Sequence, residues 1–283
     1  MITSHPTWAD WINSGEWAGS SDTAMPMLPA LATDVMTLAL DQDVSVVAIA
    51  RVISKDQVLA TRVLRLANSA YCAPMQEITT INDAIVRMGT AAVRSVVLAV
   101  CFASRMDGQD IYGKKGRVLV DHGIGTAYLS RLVAERVYVD PDEAFVCGLL
   151  HDIGKMLLVK LERDFVRFGG KAPSAEDFEK FVTERHAEIG AQVLAQWRLP
   201  ARLQESVLFH HTPDQCSSFP EEAAVAYMGN RLAHRYGFGC ESDLETDILA
   251  DPVFAKYKVT PEWLADIDKR APGLFQVAKQ IVA

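Results

Sequence analysis

The stretch VCGLLHDIGKMLLVK, Val146 to Lys160, sets a His-Asp pair, His151 and Asp152, inside an apolar run and follows it with Gly154 and Lys155. A dry helix that accepts two such side chains must give them partners, and a shared metal ion or a hydrogen-bond network are the usual solutions. The helix start is well marked: Asp140 suits the N-cap, Pro141 the first helical position, and Asp142 and Glu143 the first turn. The spacing puts His151 and Asp152 about three turns into one continuous helix.

Outward from that stretch the pattern stays helical. Toward the N-terminus, Leu28, Leu31, Val35 and Leu38 form one stripe and Val44, Val47, Ile49, Val52 and Ile53 the next. Ser54 and Asp56 are caps for a helix that buries Val58, Leu59, Val63, Leu66 and Ala67 and breaks at NSAYCAP, where Asn68 and Ser69 read as a helix-end hydrogen-bonding pair. Ile81, Ala84, Ile85 and Met88 lead through Gly89 into AAVRSVVLAVCFA, expected as a central helix, and MDGQDIYGKKG (106–116) reads as a linker with Lys114 and Lys115 in a solvated turn. His122 then lies on a helix with Ala127, Leu129, Leu132 and Val133.

Toward the C-terminus, a Gly-Gly loop precedes a long helix carrying His186, whose apolar side is Phe178, Phe181, Val182, Ile189, Val193, Leu194 and Trp197. Pro200 opens a helix ending on His210 and His211, EEAAVAYMGNRLAHRYG follows, and further helices are expected near 244–255 and 261–281. Short turns between periodic runs imply antiparallel helix pairs, and β-like alternation is absent. The fold class is all-α, a helical bundle in two halves: an arm over 1–25, helical halves over 26–108 and 109–240, and a C-terminal helical extension over 241–283, packed on the second half. Trp8, Trp11 and Trp17 in the arm, and Trp263 and Phe275 in the extension, are read as packing residues.

Composition narrows the function. Apolar residues make up 49% of the 283, enough for a sizeable core. The 28 Lys and Arg stand against 36 Asp and Glu, a net charge of -8 that opposes a broad grip on phosphate backbones, so no nucleic-acid partner is expected. Cys72, Cys101, Cys147, Cys216 and Cys240 are widely spaced and read as reduced core residues. With no signal-peptide layout and no uncharged apolar run of about 18 residues, the expectation is a cytoplasmic protein without a membrane span.

Five of the seven histidines, His122, His151, His186, His210 and His211, fall at the buried side or end of successive helices. Imidazole and carboxylate ligands from facing helices are how bundles build metal sites, with Asp152 supplying the bridging carboxylate. Each histidine alone is more often a hydrogen-bonded core residue than a ligand.

LPALATDVMTLALDQDVSVVAIARVISKDQVLATRVLRLANSAYC (28–72), followed by ITTINDAIVRMGTAAVRSVVLAV (78–100), resembles the N-terminal half of an HDOD domain, the helical output module related to HD phosphohydrolases. The likeness covers about residues 26–240. Its most specific parts are the leading LP, Lys55-Asp56 where DP is more usual, LRLANSA at 64–70 and AIVRMG at 84–89. In the second half the order H, HD, H, HH resembles the HD superfamily, including binuclear relatives such as the HD-GYP phosphodiesterases. The resemblance implies His122 as first ligand, His151 and Asp152 as the doublet, His186, His210 and His211 as additional ligands, and Lys155 as the lysine that approaches substrate phosphate. It implies a divalent metal (Fe, Mn, Mg, Ni or Zn), as one ion or two. Asp152 and Lys155 are the candidate catalytic residues.

Two departures weigh against catalysis. Where the superfamily has the late Asp in ADRLA, this chain has GNRLA, so Asn230 offers a neutral carbonyl in place of a charged ligand. HHTPDQCSSFP (210–220) lacks the Gly-Tyr-Pro segment after the HH pair, and Asp214 reads as a turn cap. The expectation is a non-catalytic signal-transduction output module with a retained metal pocket and a signalling protein partner. The alternative is a metal-dependent phosphohydrolase or phosphodiesterase, whose ligand would be a nucleotide or other phosphoester.

Overall fold

Helix α6 (Gly113–Val137) is the axis on which the other elements are hung. It is preceded by α1 (Trp8–Ser14), α2 (Val46–Ser54), α3 (Gln57–Ala67), α4 (Ile81–Met88) and α5 (Thr90–Asp107). After it come α7 (Pro141–Leu150), α8 (Ile153–Arg167), α9 (Ala175–Gln196), α10 (Ala201–Leu208), α11 (Pro220–Tyr236), α12 (Pro252–Lys256) and α13 (Pro261–Val282). The structure, a computed structural model, describes residues 5, 7–18, 45–69, 72, 76–107, 113–239, 242–244 and 246–282, and among these no strand occurs. The stripe expected over 28–38 lies outside the described residues.

Local signals set most boundaries as expected. Asp140 Oδ1 accepts from the backbone N–H groups of Asp142 (2.9 Å) and Glu143 (3.1 Å), with Pro141 at the first position of α7. Asp56 Oδ1 accepts from Leu59 N–H at 3.0 Å, starting α3, while Ser54 closes α2. Asn68 fastens the end of α3 to the next segment, donating to Leu64 O and Ile78 O and accepting from Ile78 N–H. The linker expected over 106–116 is shorter than its composition suggests. Residues 106 and 107 belong to α5, and α6 begins at Gly113, so Lys114 and Lys115 are helical. Continuation of two long, packed helices outweighs the modest cost of glycine near an end.

One apolar core runs from Ile49 through Val96, Ile124 and Phe145 to Ile281, so the helices before and after α6 share it. Helix α13 packs on α6 and also on α3 and α5. The C-terminal extension is thus clamped across both parts of the chain, and not on the second half alone. A second cluster joins Trp8, Trp11, Ile12 and Trp17 to Leu157, Leu161 and Phe165 of α8 and Ile189 and Val193 of α9. Trp11 stacks on Phe165, with centroids 5.7 Å apart, which docks the arm on the two helices that flank the candidate site.

Where a continuous helix was expected through His151 and Asp152, the chain breaks. Helix α7 ends at Leu150, His151 and Asp152 form a turn, and α8 starts at Ile153. Two close approaches hold that corner. A Cβ on Gly148 would meet Ser130 Oγ at 2.6 Å, so α7 lies tight on α6. A Cβ on Gly154 would fall 1.9 Å from His186 O, so α8 lies backbone against backbone on α9. The corner therefore aims two consecutive polar side chains at one place, which a continuous helix, turning about 100° per residue, does less well.

Candidate metal centre

The expected site residues meet. His122 comes from α6, His151 and Asp152 from the α7–α8 corner, His186 from α9, His210 and His211 from the turn after α10, and Asn230 from α11. His151 and His210 are completely buried, and His122, Asp152, His186 and Asn230 nearly so, while His211 opens to solvent.

Asp152 lies between two sets of imidazoles. Its Oδ2 is 3.3 Å from His151 Nε2 and 3.8 Å from His122 Nε2, and its Oδ1 is 3.4 Å from His186 Nε2 and 3.6 Å from His210 Nε2. Two groups can each hold an ion on these atoms: His122 with His151 and Asp152, and His186 with His210 and His211.

The tautomers follow from the backbone. His122 Nδ1 lies 3.0 Å from Phe238 O, His151 Nδ1 2.8 Å from Gly148 O, His186 Nδ1 2.7 Å from Val182 O and His210 Nδ1 2.6 Å from Val207 O. A carbonyl only accepts, so each Nδ1 carries the proton and donates it. In the neutral ring each Nε2 is then a bare lone pair aimed at the carboxylate, the arrangement by which outer partners orient metal-ligating histidines. His186 Nε2 lies 3.3 Å from His210 Nε2, lone pair facing lone pair, and 3.0 Å from His211 Nε2. A cation between the rings would relieve that opposition, as would a proton on His211 Nε2 donated to His186 Nε2.

Electrostatics favour the neutral rings. Burial pushes the imidazoles of His122 and His211 down to about 4, and lowers His186 and His210 as well. Burial opposes the charge on Asp152, but the positive charge around it, from His151 and His210 whenever those rings are protonated and from the Lys155 ammonium, holds the carboxyl well below its ordinary range. The donor set fits a divalent ion on a further observation: the buried atoms His151 Nε2 and Asp152 Oδ1 have no hydrogen-bond partner.

Lys155 Nζ donates to Asp152 Oδ2 at 2.7 Å from a partly exposed position, at the mouth of the pocket. Asn230 Oδ1 stands 3.0 Å from His122 Nε2. With Nδ1 donating to Phe238 O, that Nε2 is an acceptor, so in this orientation both atoms address a cation. With the amide turned over, Nδ2–H caps the lone pair instead. Asp214 is not part of the site and is not a cap; it is exposed and pairs with Lys256 at 3.3 Å. His234, which sequence reasoning did not single out, stands with its ring 4.9 Å from that of His122. Its only signal is its position four residues after Asn230, on the same face of α11.

Three kinds of likeness bear on the site. The family model of the HDOD domain matches residues 25–213. A ribonuclease Y from Pseudothermotoga lettingae is 33% identical over 133 residues, 47% of this chain and 22% of that protein. The chain spans less than half the length of the curated relatives it matches. Among solved structures, an HDOD domain protein of unknown function from Geobacter sulfurreducens superposes with a TM-score of 0.72 at 21% identity, covering 99% of both chains. A protein from Shewanella amazonensis, provisionally named a phosphohydrolase, superposes with a TM-score of 0.66 at 24% identity, covering 93% of this chain and 96% of that one.

Proposed function

The chain belongs to the HDOD domain family, and from that premise we propose that it is a signal-transduction output module, without hydrolytic activity, whose HD-like pocket binds a divalent metal. The observation that carries the metal is the convergence of four Nε2 lone pairs, each fixed by an Nδ1–H donated to a backbone carbonyl, on the two oxygens of Asp152. In this reading His151 and His122 serve Oδ2, and His186, His210 and His211 serve the opposite side. The loss of catalysis rests on Asn230. It supplies no negative charge beside His122 and can tie up that ligand's lone pair, so the side served by His122 and His151 binds more weakly. The signalling protein partner and a cytoplasmic location, the latter in keeping with free Cys72, Cys147 and Cys216, belong to the same reading.

A second reading, metal-dependent phosphoester hydrolysis, is favoured by Lys155. Its ammonium sits at the exposed mouth, one hydrogen bond from Asp152, where it would meet a phosphate oxygen. A bound divalent ion would supply a water of lowered pKa and offset charge on the phosphate. Lys155 would then neutralise the anion, Asp152 would hold the water's proton network, and the buried imidazoles would keep bulk water out.

The two readings separate on the full chain loaded with Mn(II) and offered bis(p-nitrophenyl) phosphate. We expect no more p-nitrophenol release from the wild type than from His151→Ala. Hydrolysis by the wild type that His151→Ala abolishes overturns the non-catalytic reading in favour of the second.

A further inference from the structure

A cavity of about 360 Å³ is lined by α3, α4 and α5 on one side, by α6, and by α13 on the other. The volume falls in the range of small-ligand sites, roughly 300–1,000 Å³. Its wall is apolar over Leu66, Met88, Val96 and Leu274, and its charged lining among the described residues is cationic: Arg131, Lys269 and Arg270. Among the described residues no acidic side chain lines it, although the chain as a whole carries a net charge of -8.

Among the described residues, two of the three lining cations, Arg131 and Arg270, have an acidic partner. Arg131 Nη1 donates to Ser95 Oγ at 2.8 Å and to Asp142 Oδ1 at 2.5 Å, but the same Asp142 also pairs with Arg94. One carboxylate thus serves two guanidinium groups. Arg270 pairs with Asp266 at 3.4 Å, an exposed contact of little strength. Lys269 has no acidic partner among the described residues. An apolar recess with surplus positive charge at its edge is complementary to one kind of molecule.

We propose that this cavity binds an amphipathic organic anion, its apolar body among Leu66, Met88, Val96 and Leu274 and its acid group against Lys269 and Arg131. The occupant touches helices from both ends of the chain together with α6. His122 lies nine residues before Arg131 on that helix, about 14 Å along its axis. Binding therefore braces the helix that carries the first imidazole of the metal pocket. The proposal does not depend on metal being bound.

Calorimetric titration of the full chain with octanoate tests it, with 1-octanol matching the body without the charge and acetate the charge without the body. Octanoate is expected to saturate a single site, with 1-octanol and acetate each at least about tenfold weaker. Lys269→Gln, an exposed change, should weaken octanoate about tenfold and leave 1-octanol unaffected. Ala92→Phe, which fills the recess, should abolish binding; if that variant does not fold, Lys269→Gln decides. Absence of saturable octanoate binding, equal binding of 1-octanol, or octanoate binding unmoved by Lys269→Gln overturns the proposal. So does retention on phosphatidylglycerol vesicles without binding of free octanoate, which would assign the cations to a lipid surface.

Discussion

At the scale of single residues, the reading turns on which imidazole nitrogens hold protons. Carbonyl partners on four Nδ1 atoms leave four Nε2 atoms around one carboxylate, a donor set suited to a cation. Asn230→Asp restores a charged oxygen that cannot cap His122 Nε2. It should tighten Mn(II) binding at the His122 side, seen as a second equivalent or a lower Kd in calorimetry. Unchanged affinity would show that residue 230 does not address the ion. The same histidines set a pH dependence. His122 and His211 are held neutral down to about 4 in the fold but take up a proton near 6.5 in the unfolded chain. The unfolded state then binds more protons in that window, so stability is full above about 6.5 and falls as the pH drops toward 4. Urea denaturation in the presence of chelator should show a lower midpoint at about pH 5 than at about pH 7.5. A midpoint that stays level or rises on acidification contradicts the buried neutral rings. The five clustered histidines were legible because their order along the chain is distinctive. His234 was not, since an isolated histidine in the last turn of a helix looks like any residue that favours a helix C-terminus.

At the scale of elements, the corner between α7 and α8 matters most. Its apolar residues run on at helical spacing from Val146 to Leu158, so periodicity alone reads one helix through the His-Asp pair. The break is a tertiary effect, made by the close seating of Gly154 on His186 O, and no local signal reports it. Gly154→Ala tests the corner directly. Its Cβ would collide with backbone, which cannot swing aside as a side chain can. The change should destabilise the fold by about 3 kcal/mol, the upper part of the usual overpacking range, and separate His186 from Asp152. Thermal melts with and without Mn(II) check both effects. An unchanged melting temperature with metal-induced stabilisation intact would mean that the two helices are not in contact there. Helix starts, by contrast, were legible where a cap is a short-range device, as at Asp140 and Asp56.

At the scale of the molecule, two terminal segments close the structure. The arm inserts Trp11, only 1% exposed, between α8 and α9, and α13 spans from α6 to α3. Trp11→Ala should cost about 3–5 kcal/mol, read from urea unfolding. A loss below about 1 kcal/mol would show that the arm is not docked in solution. Tryptophans at helical spacing announced the arm as a packing element. The reach of α13 across both parts of the chain was hidden, because an apolar stripe states that a face is covered but not by what.

The central claim, that the pocket around Asp152 binds a divalent ion, is tested most directly by elemental analysis of the full chain purified without chelator. Wild-type protein should carry at least one equivalent of a divalent metal, and folded Asp152→Ala should carry none. Wild-type protein that is free of metal, and that takes up none on dialysis against Fe(II), Mn(II) or Zn(II), would contradict the account.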